Sequence, residues 1–130
     1  MSAPRVTVRK SEHVLELVTD EGTTRFRVGI GSNPDSADKR MVGDCRTPEG
    51  TFRIVSIEDS HDWEHEGRRS YGPLFLRLEC PPWEGIGIHG TDEPDSVGRN
   101  SSRGCIRMRN EELELLADAV TVGTEVTIVA

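Results

Sequence analysis

The sequence predicts a mainly β domain, its strands packed as a sandwich or partly closed barrel, with one principal helix near the C-terminus. Two observations carry this: apolar and polar residues alternate with period two through most of the chain, and only residues 110–120 show helical spacing. At 130 residues the chain has the size of a single domain able to bury one core, so 1–130 is expected to be one unit.

The first third supplies Val6 and Val8, then Leu15 and Leu17, then Phe26, Val28 and Ile30, each set alternating with polar neighbours. Lys10-Ser11-Glu12 and Asp20-Glu21-Gly22 are the polar breaks, and the glycine of the second tolerates the positive φ of a hairpin, so an antiparallel meander is expected. Residues 29–50 hold four glycines and two prolines with no apolar period, which marks a long excursion of the kind that often carries function. Strand character returns at 51–57, with Phe52 and Ile54 or Val55 inward, and at 74–78, with Leu74, Leu76 and Leu78 inward. The charged loop 58–69 separates them. Ile86-Gly87-Ile88-His89 is a short strand that ends on a histidine and runs into the Gly-rich, Pro-interrupted segment 90–104. Asn110 is a suitable N-cap, Glu111, Glu112 and Glu114 suit the positive end of the helix dipole, and Leu113, Leu116, Ala117 and Val120 share one face. Gly123 follows as a stop, and residues 125–129 form a closing strand.

Composition excludes several functions. Hydrophobic residues at 34% and charged residues at 30% are those of a folded globular chain. Sixteen Lys and Arg against 23 Asp and Glu leave a net charge of -7, which repels nucleic acid. No apolar run approaches the roughly 20 residues of a membrane span, and residues 1–8 lack the basic start and apolar stretch of a signal peptide. The chain as given is therefore expected to be soluble and unanchored. Three cysteines, Cys45, Cys80 and Cys105, leave at least one thiol free, and none stands in a Cys-x-x-Cys repeat that would hold zinc. Spacing cannot say whether Cys45 and Cys80 pair; small, buried apolar side chains are the simpler expectation for both.

The densest chemistry lies in Ser101-Ser102-Arg103-Gly104-Cys105-Ile106-Arg107-Met108, with Gly87-Ile88-His89-Gly90-Thr91 placing a histidine sixteen positions before the cysteine. A free thiol has a pKa of about 8.5 and is mostly protonated at neutral pH, so a nucleophilic cysteine needs a neighbouring imidazole. His89 is the only histidine near this segment. Gly104 allows close backbone approach, and consecutive amides there can bind an oxyanion.

These two boxes resemble the signature of the YkuD-type L,D-transpeptidases, in which a histidine precedes a [Ser/Thr]-x-Gly-Cys box by a comparable gap. Arg46-Thr47-Pro48-Glu49-Gly50-Thr51-Phe52 is similar to the family's Thr-Pro-x-Gly-x-Phe segment, and Gly123-Thr124-x-Val126 to its closing strand, so the resemblance covers most of the chain. It implies a cysteine enzyme that attacks the L,D peptide bond of a peptidoglycan stem tetrapeptide, releases D-alanine, and passes the acyl group to an amine, giving a 3-3 cross-link, or to water. Cys105 would be the nucleophile and His89 its proton partner, with Ser102 bracing the site and the amides of Arg103, Gly104 and Cys105 forming the oxyanion hole. Arg107 would hold substrate carboxylates through its planar fork, and Gly90 and Thr91, with Arg103, complete the expected substrate contacts. The resemblance further implies no cofactor and no metal, acylation by carbapenem-type inhibitors, a monomer, and work in the cell envelope or periplasm. One departure is visible: many members carry a second histidine directly before the Gly-Cys pair, where this sequence has Arg103.

Other residues have blander readings. His61 and His65 are four apart, as metal-binding histidines on a helix can be, but lack the glutamate of a zinc protease and read as part of a solvated acidic loop. Trp63 in that loop is a candidate lid over a cleft. A silent β-domain that binds cell-wall peptides or a protein partner is the second functional reading and a metal-dependent hydrolase a distant third; the intact His89 and Cys105 favour the transpeptidase, because a binding module has no need of a thiol and imidazole at this spacing.

Overall fold

The computed structural model describes residues 3–130; the first two positions of the stretch read for a signal peptide lie outside it. Strands β1 (Arg5–Arg9), β2 (Val14–Thr19) and β3 (Gly22–Arg27) form the expected antiparallel meander. Alternation places Val6, Val8, Leu15, Leu17 and Phe26 in the core, and Gly22 takes a φ of 128° at the hairpin. Strand β4 (Ile30–Gly31) opens the long excursion, which ends at β5 (Gly50–Asp59); β6 (Leu74–Glu79) and β7 (Gly87–His89) follow, then β8 (Asn100–Ser102), β9 (Ile106–Arg107), helix α1 (Asn110–Ala119) and β10 (Glu125–Val129). Eight strands pair in the order β3-β2-β1-β10-β5-β6-β7-β9, a sheet curled into a half-barrel, while β4 and β8 form a separate two-stranded ladder. This is the partly closed barrel of the two expected packings.

Leu76 and Leu78 point inward as their spacing requires, and Phe75 is buried on the opposite face. On β5 the choice falls on Ile54, 1% exposed, against Val55 at 39%; a bulge between Ile54 and Ser56 shifts the register there. The helix buries Leu113 and Leu116 against the sheet.

Four local expectations need correcting. Asn110 is the first helical residue rather than the N-cap; Arg109 occupies the cap position without a side-chain hydrogen bond. The Asn110 amide oxygen instead accepts the Thr91 backbone N–H at 2.8 Å, fastening the helix to the end of β7. The helix also stops one residue early, because Val120 is extended. Cys45 and Cys80 are both free thiols, but only Cys80 is buried; Cys45 is half-exposed in the left-handed region at a φ of 56°.

The last correction concerns Lys10. Expected in a polar break, its side chain is 1% exposed. Its ammonium donates to the carbonyls of Ala37 at 3.0 Å and Thr47 at 2.8 Å and pairs with Glu49 at 3.1 Å. A long flexible stem reaches across the meander and gives its charge three oxygens, which offsets its desolvation. The excursion is thereby tied at both ends, since the Gly31 N–H donates to Thr47 Oγ1 at 3.0 Å. Within it Asp44 accepts from Lys39 Nζ and from the amides of Arg40, Met41 and Arg46. Burial opposes its ionisation, but these donors hold the Asp44 carboxyl well below the usual carboxylate range.

Lys10→Met keeps the stem and removes the charge, leaving two carbonyls and Glu49 without their partner. Urea unfolding should show a loss of about 3 kcal/mol; a loss under ~0.5 kcal/mol would show that the tie contributes nothing.

Candidate active site

Residues 102–108 alternate strictly between core and surface. Ser102, Gly104, Ile106 and Met108 are buried, while Arg103, Cys105 and Arg107 look outward. The β7–β9 ladder is parallel, with Ile88 opposite Ile106 and His89 opposite Arg107. Ile88 and Ile106, both fully buried, fix this register. His89, Arg107 and, one step earlier, Cys105 therefore lie on the same face of two neighbouring strands.

The turn that presents Cys105 is held from within. Ser102 is 3% exposed; its hydroxyl accepts the Gly104 N–H at 3.1 Å and donates to the Cys105 carbonyl at 2.6 Å. Gly104 has a φ of 142°, and a Cβ there would stand 3.1 Å from the Arg46 carbonyl oxygen, so the position requires glycine on both counts. The Cys105 thiol donates to the Gly85 carbonyl at 3.3 Å. Burial pushes this thiol above its ordinary value, against the opposing pull of the Gly87 amide and of Arg107, Arg77 and Lys39.

His89 is 4% exposed and more enclosed than a strand-end residue need be. Phe75 stacks on its ring at 5.7 Å between centroids, and Tyr71 meets it edge-on at 5.1 Å. Its Nδ1–H donates to the Gly90 carbonyl at 2.5 Å, which leaves Nε2 as the basic nitrogen. Burial pulls the imidazole down to about 4, partly opposed by the Gly90 hydrogen bond. Both shifts favour the uncharged form of the group concerned. Gly90 and Thr91 do not line the cleft. A Cβ at Gly90 would collide with Asn110 Oδ1 at 2.1 Å, and Thr91 is 2% exposed; both lie behind His89 and fix its carbonyl partner.

Cys105 sits in the floor of a cleft of about 730 Å³. Trp63, Tyr71, Phe75 and Trp83 wall it, with Lys39, Val42 and Arg103 at its rim. Trp63, suspected as a lid, packs on Phe75 at 5.6 Å and Tyr71 at 5.7 Å. Arg107 opens instead onto an adjoining recess of about 220 Å³, which Ser102, Arg103 and His65 also line. His61 is exposed and pairs with Asp59 and Asp62, and among the described residues no cluster suited to a metal forms. Sequence reasoning missed Lys39, Tyr71, Phe75 and Trp83. Phe75 alone had a visible sign, being the large apolar residue on the outward phase of a strand whose inward phase was already filled.

His89 links stability to pH. In the unfolded chain it titrates near 6.5 and in the fold only near 4. The unfolded state therefore binds the extra proton between these values, and stability present above pH 6.5 is lost as pH falls to 4. Against a His89→Phe variant, urea unfolding of the wild type should lose roughly 3 kcal/mol more across that window. Parallel pH profiles would show that the ring is not held neutral.

Residues 3–128 match the family model described as the L,D-transpeptidase catalytic domain, YkuD. YqjB of Bacillus subtilis (strain 168), provisionally named an L,D-transpeptidase, is 34% identical over 136 aligned residues, covering 96% of this chain and 70% of that one. YkuD of Bacillus licheniformis, named in the same provisional way, is 39% identical over 83 residues, which cover 64% of this chain and 45% of that relative. The chain thus spans less than half the length of YkuD in that match. L,D-transpeptidase 3 from Mycobacterium tuberculosis, solved in complex with a faropenem-derived adduct, superimposes with a TM-score of 0.73 over 98% of this chain and 60% of that one, at 19% identity, a likeness of fold. With the family model matched across residues 3–128 and a relative 34% identical over 96% of this chain's length, the chain belongs to the YkuD family of L,D-transpeptidase catalytic domains.

Proposed function

We propose that the chain is one catalytic unit of a peptidoglycan L,D-transpeptidase, with Cys105 as nucleophile and His89 as the group that carries its proton. The observation that supports this most is the shared face of β7 and β9, which puts a thiol in a cleft floor beside a strand bearing an imidazole of fixed tautomer. No binding module needs that arrangement.

In the first step His89 Nε2 takes the Cys105 proton as sulfur adds to the carbonyl of the stem peptide's L,D bond. The tetrahedral oxyanion is received by backbone amides of the 103–105 turn. Because the Gly104 N–H is already given to Ser102 Oγ, this falls to the amides of Arg103 and Cys105. The oxyanion then collapses, the C–N bond breaks, and the imidazolium returns its proton to the departing amine of D-alanine. A thioester on Cys105 remains. An amine of a second stem peptide attacks it with the reverse proton transfers, or water does, and the free thiol is restored. Neutral partners suit this sequence, since proton transfer and attack proceed together without a preformed ion pair. The main-chain role at Arg103 is indifferent to its side chain, so the absence of a second histidine there leaves the step intact. The reading places the reaction in the cell envelope, where the substrate is, and requires neither cofactor nor metal.

A strained β-lactam amide mimics the donor carbonyl. Incubation with imipenem should add one drug mass per chain, Cys105→Ala should abolish the adduct, and His89→Gln should slow its formation by ~10²–10⁴-fold. Gln is the appropriate variant because the buried ring contributes packing that Ala would forfeit. An adduct on Cys105→Ala, or an unaltered rate in His89→Gln, would refute the mechanism.

Arg107 should hold a carboxylate of the donor peptide by charge-assisted hydrogen bonds. Arg107→Ala is expected to raise KM for a tetrapeptide about tenfold, with Arg107→Lys recovering only part of the loss. Unchanged kinetics in both variants would remove Arg107 from the site.

A further inference from the structure

Among the described residues, two buried side-chain polar atoms have no hydrogen-bond partner, His65 Nε2 and Arg107 Nε. One comes from the 58–69 loop and the other from β9, 42 positions apart in sequence, yet both line the same small recess. Arg107 Nε always carries a hydrogen, and His65 Nε2 carries one when that nitrogen holds the ring's proton. An unsatisfied buried N–H costs free energy unless something completes it, so an acceptor in this recess would satisfy both.

The recess continues from the cleft, because His65 and Arg103 line both spaces. Its charges are otherwise spent on each other. Arg68 pairs with Asp92 at 2.9 Å and with Glu93 at 2.5 Å, and Arg103 pairs with Glu66 at 3.1 Å. Glu66 stands 3.9 Å from His65 Nε2, beyond hydrogen-bonding reach. Arg107 alone has no carboxylate; one of its terminal nitrogens donates to Ser96 Oγ at 3.2 Å, which aims the guanidinium. His65 is fixed by a reciprocal backbone pair with Arg68, at 2.8 and 3.1 Å, and by edge contact with Tyr71. The remaining cationic and N–H capacity thus converges on one anionic group of small size.

The direction of the reaction says which group. The leaving amine must depart on the side of the imidazole that gives it a proton, and the residue opposite His89 in the ladder is Arg107. We infer that this polar recess receives the terminal carboxylate of the D-amino acid that leaves, with His65 Nε2–H and Arg107 Nε–H as its two donors, while the aromatic cleft holds the retained acyl chain. The assignment rests on Cys105 being the nucleophile. It makes His65 a specificity-determining residue: a donor ending in a free carboxylate is preferred over one whose terminus is capped.

The test uses the whole chain and two synthetic stem tetrapeptides, one ending in D-alanine and one in D-alanine amide, with release of the terminal residue followed by mass spectrometry. Wild type should process the free acid at least about tenfold faster by kcat/KM, the scale of one charge-assisted hydrogen bond. His65→Ala should erase most of that preference by weakening the acid more than the amide. His65→Gln, whose amide N–H falls near the Nε2 position, should restore part of it. Alkylation of Cys105 by iodoacetamide, which has no carboxylate, is measured in all three proteins and separates any change in thiol reactivity from the acid-to-amide ratio, which each protein reports for itself. Equal turnover of acid and amide by wild type, or an undiminished preference in His65→Ala, overturns the assignment while leaving the transpeptidase reading in place. Failure of both peptides to acylate a Cys105 that iodoacetamide still alkylates overturns the transpeptidase reading and the assignment with it.

Discussion

The site depends on a single constraint, the burial of Ile88 and Ile106 on one face of two parallel strands. Neither is exposed, and each contributes roughly 2 kcal/mol of apolar burial. Because side chains alternate along a strand, this choice of inward face dictates the outward one. A slip of one residue in β9 would send Cys105 into the core and bring Ile106 into the cleft. The outward face is thus the complement of the core face, and the same hydrophobic energy that closes the half-barrel sets Cys105, His89 and Arg107 on one side of the two strands. Ser102 and Gly104 belong to the inward phase of that alternation, which is why they brace the turn from below instead of meeting solvent.

The supports of this face come from distant parts of the chain. Phe75 and Tyr71 enclose His89, and Asn110 holds the segment behind it. The 32–49 excursion packs its Arg46 carbonyl against Gly104 and carries Lys39 and Val42 to the cleft rim. Lys39 lies over the Trp83 ring at 5.4 Å while its ammonium pairs with Asp44. A loop rich in glycine and charge is in this way made rigid by internal hydrogen bonds, and Lys10 secures it to the meander.

What the sequence disclosed and what it concealed follow the range of the interactions. Alternation at 74–78 and the hairpin glycine at 22 are local patterns, and Leu76 and Leu78 lie in the core and Gly22 at a positive φ as they require. The His89 and Cys105 boxes were legible because the reactive types stand in short, specific strings. Lys10 was misread because its oxygen partners lie 27 to 39 positions away, where no periodicity reaches. Asn110 has the residue type of a cap, but a tertiary partner, the Thr91 amide, claimed its side chain. His65 looked like one more polar residue in an acidic loop; only folding brings it to the recess that Arg107 also lines.

The position of β10 has a consequence for how the molecule assembles. It lies at the middle of the eight-stranded sheet, between β1 and β5, although it is the last strand in sequence. Without β10, the meander β1–β3 and the cleft half β5-β6-β7-β9 would be two separate sheets, each with an unpaired edge. They become one only when residues 125–129 insert between them, forming a parallel ladder with β1 across some 120 intervening positions. Such non-local pairing is entropically costly and slow to form, and until residues 125–129 join, both strand edges are exposed. β10, which contributes no side chain to the cleft, is therefore the strand that joins the two halves of the sheet that supports it.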